Sequence, residues 1–282
     1  MLRRFNIYRV SELLYPLAAL TFVIVFALLI GDLFSHGWAY LSWDFLTQEP
    51  SRSGRAGGIL PVLVSTLMLL MVAMMVAVPV GLAAALLLSE ASRKRTVLAR
   101  SLGISIDILA GVPSIVYGLF GNAFFSVYLG LGFSILSGGL TLGCMVLPIF
   151  VRTVESGFLA VQDDWPQGAA ALGLSKWSTL VHILLPAAAP AIAVGLVLGI
   201  GRALAETAAL IYTSGYVDRM PSSWLDSGRA LSVHIYDLSM NVPGGEPHAY
   251  ASALVLILLL LAINGGAAWL TEHLLHQRIQ RS

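Results

Sequence analysis

Arg202 and Glu206 lie four residues apart inside a stretch, Ala187 to Tyr212, that is otherwise apolar. At helical spacing the two share one face. A charge within hydrocarbon is costly, so such a pair marks either a path for a polar solute or an internal ion pair in which each group neutralises the other. Asp107 lies in a second apolar stretch, where it either faces a partner subunit or sits near the interface beside Arg100. Arg152 and Glu155 sit at the end of a third, where long side chains snorkel or cap. The run Gly111-Val112-Pro113-Ser114 breaks a helix. Its freed carbonyls either line a cavity or mark a packing kink. His273 and His276 lie one turn apart with no third ligand beside them, so no metal site is expected. The chain has no Walker A loop, no Gly-x-Ser-x-Gly elbow and no His-Glu-x-x-His helix, hence no expected catalytic residue.

A second polar feature runs over residues 161–186. Asp164 is placed to cap a helix, with Pro166 in the first turn and Gln167 completing a capping-box spacing. Gly173 offers a stop and Ser175 a fresh N-cap, so a second short helix from Lys176 to about Leu185 runs into Pro186. Gly168, Ala169 and Ala170 form a small face that another protein can approach closely, and Leu172, Leu174 and Trp177 supply apolar contact. Spacing alone leaves two readings open: a docking hairpin, or an amphipathic hairpin lying on a membrane.

The elements that must position these residues follow from composition. The chain is 57% hydrophobic and 11% charged, with a mean hydropathy of +0.84. Such values place it among integral membrane proteins. Six segments satisfy the roughly 20 apolar residues that a helix needs to cross a bilayer. They are Leu13 to Phe34, Pro61 to Leu88, Leu102 to Phe125, Tyr128 to Val151, Ala187 to Tyr212 and Tyr250 to Leu270. They are too long and too uniformly apolar for barrel strands, so the expected fold is an all-α bundle in one domain covering residues 1–282. Gly118, Gly121, Gly130 and Gly132 interrupt the third and fourth segments, which suggests a tight hairpin or a partly broken helix.

The net charge of +1 gives no sign of a nucleic-acid partner. Cys144 is a lone packing residue, and the first apolar run, behind Arg3, Arg4 and Arg9, reads as a retained helix. In a six-helix arrangement Arg3, Arg4, Arg9, Arg93, Lys94, Arg95, Arg100, Arg152, Lys176, Arg278 and Arg281 fall on one side, and Arg52, Arg55, Arg219 and Arg229 on the other. The positive-inside rule then puts both termini and the hairpin in the cytoplasm. Trp38, Trp43 and Trp224, on the other side, suit interfacial anchoring or an outer partner.

The spacing Gln167-Gly168-Ala169, then Gly173, Ile183, Leu185 and Pro186, resembles the EAA signature of ABC importer permeases, with Gln167 for the usual Glu and Gly168 for the usual Ala. The stretches Leu109 to Gly121 and Gly201 to Ala208, with Gly57-Gly58-Ile59 and Ala249-Tyr250-Ala251, are similar to permeases of the phosphate-specific importer, of the PstA type, over about residues 40 to 270. The resemblance implies a type I importer bundle in a bacterial cytoplasmic membrane. Asp164, Gln167, Gly168, Ala169, Gly173, Ile183, Leu185 and Pro186 would dock on a cytoplasmic ATPase dimer, which would hold ATP and magnesium; this chain would bind no cofactor. It also implies a second permease subunit, an extracytoplasmic phosphate-binding protein, and a path for phosphate past Arg202, Glu206 and Thr207. A guanidinium presents a rigid fork to phosphate oxygens, and a nearby carboxylate keeps binding weak enough for release. The sister permease subunit and a permease for another oxyanion stay open. So do a self-sufficient channel or carrier, and a scaffold subunit.

Overall fold

Continuous apolar sequence, punctuated by Pro and Gly, builds long helices separated by short, capped breaks. The computed structural model describes residues 2–93, 96–162 and 164–279, without the side chains of residues 2–13, 98 and 268–279. Arg3, Arg4, Arg9, Lys94, Arg95, His273, His276, Arg278 and Arg281 thus lie outside the described side chains. In chain order the elements are α1 (Leu2–Gly37), α2 (Trp43–Thr47), a hairpin of β1 (Pro50–Ser51) and β2 (Ala56–Gly57), and α3 (Leu60–Arg93). Next come α4 (Val97–Gly111), α5 (Ser114–Gly121) with a π-turn over Asn122–Tyr128, and α6 (Ile135–Ala160). The chain closes with α7 (Asp164–Ala171), α8 (Lys176–Thr179), a π-turn over Leu180–Leu184, α9 (Leu185–Leu204), α10 (Ala208–Ile211), α11 (Leu231–Met240) and α12 (Glu246–Ile279).

Among the described residues five helices are long and apolar enough to cross a membrane, and α4 with α5 and its π-turn, bent by 97° at the break, counts as a sixth when the pair is taken as one broken span. The third span expected over 102–125 is therefore broken. Pro113 lacks an N–H and disfavours helical backbone at the residue before it, and Val112 is extended at φ −67, ψ 129. The expected fourth span, 128–151, moves to 135–160. Gly130 and Gly132, at φ +71 and +63, hold a non-helical turn there, and Ser134 caps the helix through the N–H of Ser137 at 3.1 Å.

α6 is the central helix. It packs along α3 and α9, and the contacts are close because small residues let backbones approach. The ring of Phe150 is held between Gly81 of α3 and Gly195 of α9, where an added Cβ would come within 2.5 and 3.1 Å of it. Val72 lies equally close to Gly139. Leu69, Leu142, Val146, Val154 and Phe158 complete the buried seam, with Cys144 packed at its side.

A second apolar cluster gathers Phe45, Ile59, Val62, Leu231, Ala251 and Val255 at the end of the bundle opposite α7 and α8. There α2, the β-hairpin and α11 form a cap. Beneath it Arg229 donates Nε to the carbonyl of Tyr216 at 2.8 Å and pairs with Asp237 at 3.2 Å. His234, 1% exposed, has Nδ1 3.4 Å from Arg229 and a buried Nε2 with no partner among the described residues. Burial first, then the Arg229 charge, pushes His234 down to about 4, against a weaker opposing pull from Asp237.

The folded value lies below the ordinary 6.5. The stability that neutral His234 contributes is therefore complete above pH 6.5 and is lost as pH falls toward 4, up to roughly 3 kcal/mol. Amide exchange of α11, corrected for intrinsic rate, should accelerate across that window. His234→Leu should flatten the profile, and an unchanged slope in that variant would refute the assignment.

Candidate functional site

The apolar pattern of α9 runs past the point where the helix stops. Leu204 is its last residue, and Glu206 and Thr207 make the turn into α10. The Glu206 carboxylate is buried, and its Oε1 accepts the N–H of Ala209 at 3.1 Å, so it caps α10. Its backbone carbonyl accepts the hydroxyl of Ser232 from α11. The carbonyl of Thr207 accepts the N–H of Ile211 at 3.1 Å. Arg202, in the last turn of α9, is exposed. No ion pair joins it to Glu206 among the described residues. The expectation of one shared helical face is corrected here: neighbours four apart need an unbroken helix, and the orphan N–H groups that open α10 take the carboxylate.

Arg202 instead lines a cavity of about 390 Å³ under the α4–α5 corner, together with Leu109, Ala110, Val112, Tyr117, Met145, Pro148, Ile149 and Arg152. The last turn of α4, with Val112 before the Pro113 break, thus lines a cavity. Tyr117 braces the corner by donating its hydroxyl to the carbonyl of Leu109 at 2.9 Å. Two guanidiniums, from α9 and α6, therefore line one mostly apolar chamber.

Arg152 neither snorkels nor caps, which corrects the sequence expectation. Its Nε and Nη2 donate to Asp107 of α4 at 2.8 and 2.7 Å, its Nη1 to Glu155 at 2.8 Å, and its Nη2 also to the carbonyl of Gly103 at 2.7 Å. Ser92 of α3 donates to Glu155 at 3.2 Å, so the cluster ties α3, α4 and α6 together. Asp107 pairs with Arg152, on a cavity that Arg100 also lines. α6 runs nine residues beyond the expected end at Val151, which puts Arg152 well inside the helix. Opposite charges in two apolar segments, Asp107 and Arg152, were the signal available.

The hairpin follows its local code closely. Gly173, at φ +74, closes α7 with the bond pair from Leu174 N–H to the carbonyl of Ala169 and from Gly173 N–H to that of Ala170, both 3.0 Å. Ser175 caps α8 through the N–H of Ser178 at 3.1 Å. Asp164 lies in the first turn of α7, where its carboxylate acts on the helix dipole. Gln167 and Gly168 are exposed, and Leu172 and Trp177 are 83% and 72% exposed. Ala169, at 3%, turns inward. The second helix does not end before Pro186. The residues from Lys176 to Leu204 run on as one span, because the π-turn at Leu180–Leu184 absorbs the missing N–H of Pro186. Ile183 lies in that π-turn, and Leu185 and Pro186 open α9.

Comparison with known proteins places this geometry in context. Residues 60–278 match the family described as binding-protein-dependent transport system inner membrane component. The chain is similar to a probable ABC transporter permease protein, YqgI, of Bacillus subtilis, 31% identical over 88% of this chain and 90% of that one. It is similar to the phosphate transport system permease protein PstC of Xylella fastidiosa, 30% identical over 86% and 80%. It also resembles PstA 1 of Mycobacterium tuberculosis, 35% identical over 76% and 70%. Among solved structures, a chain of the inward-facing MetNI methionine ABC transporter superposes with a TM-score of 0.62 at 16% identity, covering 77% of this chain and 95% of that one.

Proposed function

The chain belongs to the binding-protein-dependent transport system inner membrane components and is an ABC importer permease subunit, and from that premise we propose that it carries inorganic phosphate across the bacterial inner membrane. The observation that carries the reading is the cavity shared by Arg202 and Arg152. Arg202, without an acidic partner among the described residues, offers its fork to a tetrahedral oxyanion, Arg152 follows it with its own fork held by Asp107 and Glu155, and the surrounding apolar wall strengthens each hydrogen bond. The named phosphate permeases among the relatives support the same cargo. Sulfate and other oxyanions fit the same chemistry and are the alternative.

In this reading the α7–α8 hairpin faces the cytoplasm and docks on an ATPase dimer that hydrolyses ATP with magnesium. A second permease subunit completes the path, and an extracytoplasmic binding protein delivers phosphate to the end capped by α11. The assembled transporter, reconstituted in proteoliposomes, should show ATPase activity stimulated several-fold by phosphate-loaded binding protein and not by sulfate. Stimulation by sulfate alone would replace the cargo, and activity indifferent to both would reject the reading.

A further inference from the structure

Two cavities meet at Arg152. The first is the chamber it shares with Arg202. The second, about 490 Å³, opens between the end of α3, one face of α4 and α6, and is lined by Thr96, Arg100, Gly103, Asp107 and Arg152 among others. Arg202, Arg152 and Arg100 thus follow one another through the two spaces. Arg202 and Arg100 have no acidic partner among the described residues. Arg152 has two.

The carboxylates on Arg152 differ in how firmly they are held. Glu155 is 6% exposed and also accepts from Ser92, so it is built into the bundle. Asp107 is 63% exposed, and its side chain bonds only the Arg152 fork among the described residues. Its two oxygens take Nε and Nη2 in the paired geometry that phosphate oxygens adopt on arginine. One guanidinium against two carboxylates leaves the junction with a net negative charge. An anion bound at Arg202 therefore meets repulsion at the next cation of its route as long as Asp107 stays in place.

We infer that Asp107 is the exchangeable counter-ion of the path: it holds the Arg152 fork in place of the transported anion, and the anion passes from the first cavity to the second by displacing it. The inference rests on the phosphate reading above. Exchange explains why the more loosely held carboxylate is the one that occupies the fork. It also gives binding weak enough for release, since the internal carboxylate competes for every anion that arrives. Arg100 then meets the anion in the second cavity.

The test uses the whole reconstituted transporter with Asp107→Asn, Asp107→Glu and Arg100→Gln. Asn keeps the size and one acceptor oxygen but removes the competing charge. Asp107→Asn should raise passive phosphate efflux from preloaded vesicles without ATP, and tighten equilibrium binding of labelled phosphate, each by about tenfold, the lower range for a charge-assisted hydrogen bond. Asp107→Glu should restore both toward the unaltered values. Arg100→Gln should slow ATP-driven uptake several-fold, and uptake at the unaltered rate would overturn the route through the second cavity. An assembled Asp107→Asn transporter with unaltered efflux and binding would overturn the exchange. Failure of that variant to assemble would overturn it too, because a carboxylate that leaves its partner in every cycle cannot be required for the fold. An unaltered transporter that moves no phosphate marks the failure of the cargo reading; one that moves it, with an Asp107→Asn form that neither leaks nor binds more tightly, marks the failure of the exchange alone.

Discussion

Arg202→Ala should lower phosphate uptake by the reconstituted transporter about 10- to 100-fold, the range expected when one charge-assisted hydrogen-bonding group is lost from a site. Assembly should persist, because Arg202 is exposed in the chain and anchors no other helix among the described residues. Arg202→Lys should recover only part of the rate, since an ammonium is a point charge without the planar fork. Glu206 supplies the control. Its carboxylate caps α10 through Ala209 and does not pair with Arg202, and a Gln at that position still offers an acceptor oxygen. Glu206→Gln alone should therefore transport at close to the unaltered rate, and adding it to Arg202→Ala should restore nothing. Recovery of labelled-phosphate uptake in the double variant would mean that Arg202 serves only to balance Glu206, and the path would have to be placed elsewhere.

The second large effect is expected at the hairpin. A Cβ added at Gly168 meets nothing within 4 Å, so Gly168→Trp should fold and insert normally. The same indole projects beside exposed Leu172, on the surface proposed to enter the ATPase cleft. Association with the ATPase should weaken roughly 30- to 1,000-fold, the scale of a central contact at an interface. Co-purification of the ATPase and uptake should be lost together. Ala169→Trp is the contrasting variant: that methyl is buried, so the ring would have to displace packed neighbours, and the expected failure is one of folding rather than docking. Normal ATPase recovery with Gly168→Trp would reject the docking assignment. Equal loss of folding in both variants would show that the hairpin is structural on both faces.

What was legible in the sequence was whatever depends on near neighbours. Because satisfying backbone groups in hydrocarbon leaves a continuous apolar stretch few alternatives to helix, hydropathy identified the first, second, fifth and sixth apolar helices, but neither the break in the third stretch nor the bounds of the fourth. Gly173 and Ser175 specified the turn between α7 and α8, since a positive φ and a hydroxyl beside free N–H groups act within four residues. Pro113 specified a break, which the 97° corner bears out. Tertiary structure decided where helices end and which charges meet. α9 stops at Leu204 although apolar residues continue, because Glu206 finds the N–H of Ala209 and Ser232 reaches across from α11. Asp107 meets Arg152 across 45 positions of sequence, and Arg152 joins Arg202 on one cavity only because the corner after α4 folds over α6 and α9. Periodicity places a residue on a face of its own helix; which other helix that face turns toward is set by packing, where Gly81, Gly139 and Gly195 admit the side chains of their neighbours.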